Sequence, residues 1–258
     1  MKRTIAFAVA LLAAVFCLAQ ETHVIEPTNI EVRYTSYYLG DYAKTHGATT
    51  NTFILRCGKT TSQYFCAEKV RHDSLIFTPG GLQIYLAEAQ AKHERLIAGE
   101  GRTAYLPGYG NYIFRNLSTG EITMYTSVMG ECFRIVDKPE IAWNVVMDSV
   151  KTILGYVCHL ATTHFRGRDW NVWFTLDIPL PLGPIKLGGL PGLILQADMS
   201  GIMRIEAFKI NTNNLQPVTF YNYYNKKFTD IDRVKYLKMK NPKSYPKGTL
   251  MAPALETE

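Results

Sequence analysis

The chain has 258 residues, 47% of them hydrophobic, and a formal net charge of +6 from 28 basic and 22 acidic residues. A chain of this size can bury a sizeable core, and the lack of internal repeats and low-complexity tracts excludes a solenoid or a disordered chain. Length alone allows one large or two small domains. Because no linker divides the chain, we predict a single domain over residues 20–258.

The N-terminal residues 1–19 have the pattern of a secretory signal peptide. A basic start is followed by an apolar run and by the small exit residue Ala19, which predicts cleavage before Gln20. The apolar run is shorter than the ~20 residues that span a bilayer, so we expect no transmembrane segment in the mature chain. Acylation at Cys17 would make a lipoprotein, but bulky Phe16 precedes it. We therefore expect the protein in the periplasm or at the outer-membrane periphery.

Cleavage would leave four cysteines in a chain bound for an oxidising compartment, where disulfides form. They are Cys57, Cys66, Cys132 and Cys158. Four cysteines allow three connectivities. We expect Cys57 to pair with Cys66 across a local hairpin, which leaves Cys132 to pair with Cys158. The alternative is that the cysteines are buried free thiols.

Much of the chain alternates between apolar and polar residues, as half-buried strands do. The alternation is seen in IEVRY, TFILRC, NYIFRNL, EITMYTS, YVCHLATTHF, WNVWFT, LILQAD and IMRIEAF. The short turns STG, RGR and SG join successive segments at spacings that favour antiparallel hairpins. The predicted fold is therefore mainly β, an antiparallel meander that forms a curved sheet or partial barrel.

Two segments predict helices. In GGLQIYLAEAQAKHERLIAGEG (residues 80–101), apolar residues recur at helical spacing from Leu82 onward, and glycine ends the run. We expect this amphipathic helix to pack on the sheet, and an α+β fold is the alternative. A shorter helix would begin at Thr229, with Asp232 as the acid three residues on, and would end before the following Asn-Pro pair.

The positive charge of the mature chain lies in its C-terminal part. Residues 221–250 contain eight basic residues against Asp230 and Asp232, a net charge of +6, and the rest of the mature chain is slightly acidic. Tyrosines are interleaved with basic residues in YNYYNKKF and VKYLKMKNPKSYP, a pattern that would suggest nucleic acid in a cytosolic protein. Because export argues against nucleic acid, we expect this basic tail to bind an anionic envelope surface or acidic partner, or else to be a solvated face.

The stretch GPIKLGGLPGLILQAD (residues 183–198) concentrates glycine and proline among leucines. Leu-Pro-Gly-Leu at residues 190–193 has proline second and glycine third, which predicts a type II turn with Gly192 at positive φ. A phosphate-binding loop needs glycines that open a helix, whereas here Pro191 interrupts and a strand follows. We therefore predict that Gly189, Pro191 and Gly192 have a structural role in a turn.

The motif GLPGLIL (residues 189–195) resembles the signature of the GLPGLI family of exported proteins from Gram-negative envelopes. DSVKTILGYVCHLAT, FRGRDW and VWFTLDIP look like other parts of that family's central block, which would cover residues 148–198. Ile185 departs from the family pattern, where an aromatic residue is expected after Gly-Pro, and so does Cys66, where relatives carry serine. The resemblance implies an exported β-rich protein associated with outer-membrane receptors, and it implies no activity.

The sequence indicates no metal site and no cofactor. His93-Glu94 begins like the helix of a zinc protease, but Ile97 stands where the second histidine is needed. Neither a Gly-x-Ser-x-Gly elbow nor a histidine–cysteine ligand spacing is present in the sequence.

The most suggestive polar cluster is FRGRDWNVW (residues 165–173). Arg166 and Arg168 flank a glycine, and Trp170 and Trp173 follow. Guanidinium groups near an indole suit recognition of a carboxylate or phosphate, so these four residues are the candidate ligand site. The alternative is a solvated turn with Trp173 in the core.

Two functional hypotheses follow. The first is a non-catalytic exported envelope protein, an accessory or carrier that binds an apolar or anionic ligand or an outer-membrane partner. The second is a periplasmic hydrolase with active-site residues scattered in sequence, for which Asp148, Asp169 and Asp177 are candidates. A pocket with paired carboxylates would favour the hydrolase, and a pocket lined by apolar groups would favour the binding protein.

Overall fold

A computed structural model describes residues 22–46, 50–98, 108–240 and 255–257. The predicted signal peptide with Cys17 and residues 241–250 of the basic tail lie outside the described residues. The fold is mainly β and is dominated by one large antiparallel sheet, as predicted. Among the described residues, no helix has the length and apolar character needed to cross a membrane.

The elements follow each other along the chain as strands with a few helices between them. The strands are β1 (His23–Glu26), β2 (Ile30–Tyr38), β3 (Thr50–Cys57), β4 (Thr61–Cys66), β5 (Tyr112–Asn116), β6 (Ile122–Val128), β7 (Glu131–Asp137), β8 (Asn144–Ile153), β9 (Tyr156–Phe165), β10 (Arg168–Thr175), β11 (Leu193–Met199), β12 (Met203–Asn211), β13 (Val218–Phe220) and β14 (Thr229–Asp230). The helices are α1 (Gly40–His46), α2 (Ala67–Leu75), α3 (Gly81–Ile97) and α4 (Arg233–Met239).

The large sheet consists of two antiparallel meanders. Its strand order is β14-β7-β6-β5-β4-β3-β2-β12-β11-β10-β9-β8, and β1 pairs with β13 in a separate ribbon. Strands β2 to β7 form the first meander and β8 to β12 the second, and pairing of β12 with β2 joins the two. The hairpins predicted at STG, RGR and SG are all confirmed as β5–β6, β9–β10 and β11–β12.

The sheet curves until its two halves face each other. In the strand order, β7 and β10 are separated by seven strands. The Asp137 carboxylate at the end of β7 nevertheless forms an ion pair with Arg166 in the β9–β10 turn. Buried side chains of both meanders, such as Ile135 on β7 and Val172 on β10, belong to one core cluster. One face of the curved sheet therefore encloses the core.

The loop between β10 and β11 (residues 176–192) fills the inside of this curve. Leu182, Leu187 and Leu190 are each 2% exposed. The Ile194 amide donates to the carbonyl oxygen of Leu182 at 2.9 Å, which ties the loop to the start of β11. Arg115 on β5 donates to the carbonyl oxygen of Lys186 at 2.7 Å, so the loop bridges the two meanders.

The ribbon of β1 and β13 covers part of the opposite face of the sheet. Gln63 on β4 is fully buried beneath it. Its side-chain amide donates to the carbonyl oxygen of Thr219 at 2.6 Å and accepts from the Thr219 amide at 3.1 Å. Buried polar groups need such partners, which explains how glutamine is tolerated inside the sheet.

The predicted type II turn at Pro191-Gly192 is wrong, because Gly192 does not have positive φ. The positive φ belongs to Gly189, at 87°. Gly192 is required for another reason, since a Cβ there would lie 1.9 Å from the carbonyl oxygen of Thr175 on the neighbouring strand. A structural explanation of this stretch still holds, but it rests on close backbone approach.

The helix predicted from residue 81 is present as α3, but its packing differs from the expectation. Leu82 and Leu86 are 46% and 56% exposed. The helix contacts α2, and α2 is the one that packs on β3 and β4. A bidentate ion pair between Arg71 on α2 and Glu88 on α3 links the two helices.

The predicted C-terminal helix begins four residues later than expected. Thr229 lies in β14, which pairs with β7 and cannot be helical at the same time. The N-cap of α4 is Asp232, whose carboxylate accepts from the amides of Val234 at 2.8 Å and Lys235 at 3.2 Å. Asp232 thus caps the helix directly, and does not act as the third-position acid of a capping box.

The predicted disulfides are not formed, and all four described cysteines are free. In the β3–β4 hairpin, Cys57 lies opposite Ser62 and Cys66 lies opposite Phe53, so the two thiols lie at opposite ends of the hairpin. Cys132 and Cys158 lie on β7 and β9, which are not neighbours in the sheet. The alternative of free thiols is the one that the structure supports.

Candidate functional site

The structure does not bring the four residues predicted as a ligand site together on one surface. Trp170 is 2% exposed and belongs to the core. Trp173 lies three residues further along β10, so its side chain points to the opposite face of the sheet. There the ammonium group of Lys151 lies 4.4 Å from the centre of its ring. Arg168 is partly exposed at the start of β10.

Arg166 does bind anionic groups, but they are carboxylates of the same chain. It occupies the β9–β10 turn with φ 49°, followed by Gly167 with φ 70°. Its Nη2 donates to Asp137 Oδ1 at 2.8 Å, and its Nη1 donates to Glu256 Oε2 at 2.7 Å. The guanidinium group therefore points inward, and the Arg166 side chain is only 15% exposed.

A charged cluster surrounds Arg166 where the two halves of the sheet meet. Lys186, from the β10–β11 loop, lies 2.6 Å from Glu256 Oε1 and 3.4 Å from Asp137 Oδ2. Arg233 at the start of α4 lies 3.3 Å from Glu256 Oε2. We use the name charged cluster for these groups: Arg115, Asp137, Arg166, Lys186, Arg233 and Glu256.

Electrostatics keep the two carboxyl groups of the charged cluster ionised. Burial by itself would raise the pKa of the Glu256 carboxyl, but Lys186 and Arg166 outweigh it, so the pKa lies below its ordinary value. Burial opposes ionisation of Asp137 in the same way, and Arg166 and Lys186 again bring its pKa below the ordinary value. The charged cluster is therefore partly shielded from water, and its cations stabilise the ionised form of both carboxyl groups.

A second candidate site is an aromatic cleft on the face opposite the core. Its walls come from β5, β6, the segment after β13 and α2. We call it the tyrosine cleft and define it by Tyr112, Tyr125, Tyr221, Tyr223, Tyr224 and Phe228, with Phe77 at its rim. The sequence motif YNYYNKKF supplies four of these rings.

The fold of YNYYNKKF explains how its rings reach the cleft. Asn222 is 4% exposed. Its side chain donates to the carbonyl oxygen of Lys226 at 3.0 Å and accepts from the Lys226 amide at 2.9 Å. These two bonds close the segment into a tight loop, from which the rings on either side of Asn222 project.

The rings pack against one another at distances typical of aromatic clusters. Tyr223 stacks with Tyr221 at 5.9 Å and with Phe77 at 6.2 Å between ring centres. Tyr125 meets Phe228 edge to face at 4.9 Å. Tyr224 and Phe77 stay 42% and 40% exposed, so the aromatic surface continues to the rim.

Two adjoining cavities open into this aromatic surface and share Tyr125, Lys226 and Phe228. One is lined additionally by Lys69, Asp73 and other polar residues. This first cavity is small, about 30 Å³, which is room for about one water molecule. The other is open to solvent and has a volume of about 660 Å³, and of the six rings only Tyr125 and Phe228 line it. Together they make a groove that combines ring surfaces with polar groups of both charges.

The tyrosine hydroxyls stay neutral in this setting. Burial raises the pKa of Tyr223 to about 12. Burial and the nearby Asp73 carboxylate raise the pKa of Tyr112, whose hydroxyl donates to Asp73 Oδ2 at 3.3 Å. Neutral hydroxyls both donate and accept hydrogen bonds, so the cleft suits a polar, uncharged ligand with apolar faces.

Three described basic residues of the tail lie at two different places. Lys226 and Lys227 line the tyrosine cleft. Arg233 points into the charged cluster, where its side chain is 19% exposed. The predicted binding of an anionic envelope surface stays a prediction.

The structure keeps the three candidate hydrolase carboxylates apart. Asp148 lies in a bulge of β8, between the register positions of Val146 and Val150. Asp169, at the start of β10, pairs with His164 at 2.6 Å on the exposed surface. Asp177 lies eight residues further along, on the order of 25 Å away at strand spacing. Asp169 and Asp177 therefore do not form a paired acid and base.

Sequence reasoning found Arg166 but missed its partners. Asp137 lies 29 positions away and Glu256 lies 90 positions away. The one available signal was Lys186, a lone lysine in an otherwise apolar, glycine-rich loop. For the tyrosine cleft, the signal was the run of tyrosines in YNYYNKKF.

Comparison with known proteins finds one family model that matches part of the chain. The family model described as "N-glycanase peptide, N-terminal domain" matches residues 133–238, which is less than half of the chain. Two solved structures of PNGF-II, in space groups P21 and C2, are similar with TM-scores of 0.52 and 0.51. No curated protein matches the chain.

The likeness to the solved structures shows the fold alone. Sequence identity is 18% in both cases, and 86% of this chain is covered. The match covers 33% and 32% of the two solved chains, so this chain spans about a third of the length of the structures that it matches.

Proposed function

We propose that this chain is a non-catalytic, exported binding module whose tyrosine cleft binds an oligosaccharide. The observation that carries the proposal is a cluster of six aromatic rings beside two adjoining cavities, of which the larger, about 660 Å³, is lined by Tyr125 and Phe228 together with polar groups. Small-molecule sites generally combine ring and apolar surface with a few placed polar groups.

The chemistry of the cleft matches that of a sugar. A pyranose ring has apolar C–H faces and a rim of hydroxyl groups, so it needs aromatic surfaces and hydrogen-bonding groups side by side. Tyr224 and Phe77 provide exposed ring surface at the rim. Arg134, Asn225 and Asp230, which line the larger cavity, provide hydrogen-bonding groups beside the rings.

The comparisons support glycans as the ligand class. The matching family is described as the N-terminal domain of an N-glycanase, a protein named for acting on glycans. This chain matches only about a third of the length of the similar solved structures, so the family's name supports the ligand class and no activity.

The separation of the candidate carboxylates supports a non-catalytic role. Asp169 and Asp177 lie too far apart to act as a pair, and Asp169 is instead paired with His164 on the exposed surface. Export is proposed from the signal-peptide pattern of residues 1–19, and envelope localisation and an outer-membrane partner follow from the resemblance to GLPGLI proteins.

The proposal is tested by calorimetric titration with a glycopeptide and with the same peptide without its sugar. We expect saturable binding of the glycopeptide alone. Replacing Tyr224 by alanine should weaken binding by a factor of about 2 to 10, the value of one aromatic contact. Tyr37→Ala is the matched control, because Tyr37 lies on the face of β2 that lines a different groove. Equal binding of the two peptides, or equal loss in both variants, would contradict the proposal.

A further inference from the structure

The segment of residues 255–257 is held in the charged cluster in the manner of a bound peptide. The Thr257 amide donates to the carbonyl oxygen of Arg166 at 2.9 Å. Arg233 Nη1 donates to the carbonyl oxygen of Thr257 at 3.2 Å. The Glu256 side chain points inward and is 11% exposed. Both the backbone and the side chain of the segment are therefore recognised.

The receiving surface has the shape of this segment. A Cβ at Gly167 would lie 1.9 Å from Thr257 Oγ1, so glycine at this position of the turn leaves room for the threonine. Leu255 packs against the core, with its Cδ1 close to Gly108. Three successive residues thus have a specific place: an apolar contact, a carboxylate position and a threonine beside the turn.

The charges of the cluster require an anion at the position of Glu256. Its members carry four positive charges, on Arg115, Arg166, Lys186 and Arg233, against the two carboxylates of Asp137 and Glu256. Without Glu256, the Lys186 ammonium, 5% exposed, would share the single Asp137 carboxylate with Arg166. Buried cations without a counter-charge are strongly unfavourable, so a carboxylate at this position stabilises the cluster.

We propose that Arg166, Gly167, Lys186 and Arg233 form a recognition site for an acidic peptide of the pattern Leu-Glu-Thr, which the chain's own residues 255–257 occupy. A peptide of the same pattern on a partner protein competes for the site when the internal segment leaves it. Specificity comes from the glutamate between three cations, and the backbone bonds to Arg166 and Arg233 fix the direction of the peptide. This site is distinct from the tyrosine cleft.

The internal segment should act as a strong competitor. A tethered ligand works at an effective concentration on the order of millimolar. A free peptide therefore binds poorly to the parent chain, even when its intrinsic affinity is adequate. Weakening the internal segment by Glu256→Gln, which keeps the size of the side chain and removes its charge, should expose the site.

The test is calorimetric titration of the full chain with acetyl-Ala-Leu-Glu-Thr-amide. We expect the Glu256→Gln variant to bind this peptide saturably and the parent chain to bind it at least about tenfold more weakly. The same peptide with glutamine in place of glutamate should not bind. Adding Lys186→Met to Glu256→Gln should abolish binding. Glu121→Gln, the same change at an exposed acid, is the matched control and should behave as the parent chain.

Several outcomes would overturn the proposal. They are the absence of saturable binding to Glu256→Gln, equal binding of the glutamine peptide, and equal affinity of the parent chain and Glu256→Gln. If circular dichroism shows that Glu256→Gln is unfolded, Thr257→Pro replaces it, because proline keeps every charge and removes the amide that donates to Arg166. Failure of the folded Thr257→Pro variant to bind the peptide would then overturn the proposal.

Discussion

Gly192 lies against the backbone of Thr175 so closely that a Cβ at Gly192 would be 1.9 Å from the Thr175 carbonyl oxygen. Thr175 is the last residue of β10 and pairs in register with Leu193, the first residue of β11. The glycine therefore allows the β10–β11 loop to enter its strand directly beside the preceding one. The atom that would be displaced belongs to a backbone, which cannot rotate away as a side chain can.

Replacing Gly192 by alanine should lower the free energy of unfolding by about 1 to 3 kcal/mol, the usual cost of inserting a carbon into a packed site. Valine should cost at least as much. Urea unfolding measures both variants. Gly110→Ala is the matched control, since a Cβ at Gly110 would meet no atom within 4 Å. If Gly110→Ala and Gly192→Ala were equally stable, close approach would not be the role of Gly192.

We expect the described cysteines to be free and mostly unreactive in the native protein. Burial raises the pKa of Cys57 to about 11, and it also raises the pKa of Cys66 and Cys158. Thiolates are the reactive form, so these thiols should react with a thiol reagent at pH 8 only after denaturation. Partly exposed Cys132 should react first, and Cys132→Ser should remove that early phase. If two of the cysteines failed to react in denatured protein that had not been reduced, they would form a disulfide and this expectation would be wrong.

The N-cap of α4 provides a test of where this helix begins. Asp232→Ala should lower the free energy of unfolding by about 0.5 to 2 kcal/mol, because two backbone amides lose their acceptor. Asp232→Asn should cost much less, since asparagine caps equally well. Thr229→Ala should have little effect, although the sequence pattern placed the cap there. A larger loss from Thr229→Ala than from Asp232→Ala would reverse the assignment.

The buried ion pair of Glu31 and Arg56 should make stability depend on pH. Burial by itself would raise the pKa of Glu31, but Arg56 and Arg33 outweigh it and bring the pKa below the ordinary value of 4.5. A carboxyl with a lowered pKa stabilises the fold above pH 4.5, and this stabilisation is lost as the pH falls through the folded-state pKa. Glu31→Gln should therefore cost about 3 kcal/mol at pH 7.

The cost of Glu31→Gln should shrink as the pH is lowered below 4.5, because the parent chain then loses the same charge. Denaturant unfolding at pH 7 and below pH 4 measures the difference between the parent chain and the variant. Glu121→Gln, at an exposed position, should show no such trend. A difference that stays constant over this pH range would rule out the ion pair as its source.

Export predicts a mature protein that begins at Gln20. Intact-mass measurement of protein purified from an exporting host should give the mass of residues 20–258. Protein that still begins with Met1, or that carries lipid on Cys17, would contradict the prediction. Replacing Ala19 by a bulky residue should block cleavage, because the exit position of a signal peptide requires a small side chain.

The sequence by itself determined several strands and three of the hairpins, among them β9 and β10. Alternation in YVCHLATTHF and WNVWFT and the intervening RGR turn predicted β9, β10 and their antiparallel pairing, and the structure confirms each of them. Strands β4, β7, β8 and β14 of the large sheet were missed. In β4 the residues from Ser62 to Cys66 are all buried, so that no alternation shows. Alternation and turn chemistry are properties of neighbours in sequence, which explains why they can be found without the fold.

Only the tertiary structure decided what the functional side chains meet. Arg166 binds Asp137 and Glu256 because the sheet curves and carries β7 to the β9–β10 turn, although seven strands separate β7 from β10. The tyrosine cleft likewise forms because the loop after β13 folds onto β5 and β6. Sheet curvature and loop placement follow from the packing of the whole core, and packing involves residues far apart in the chain, so no local pattern encodes them.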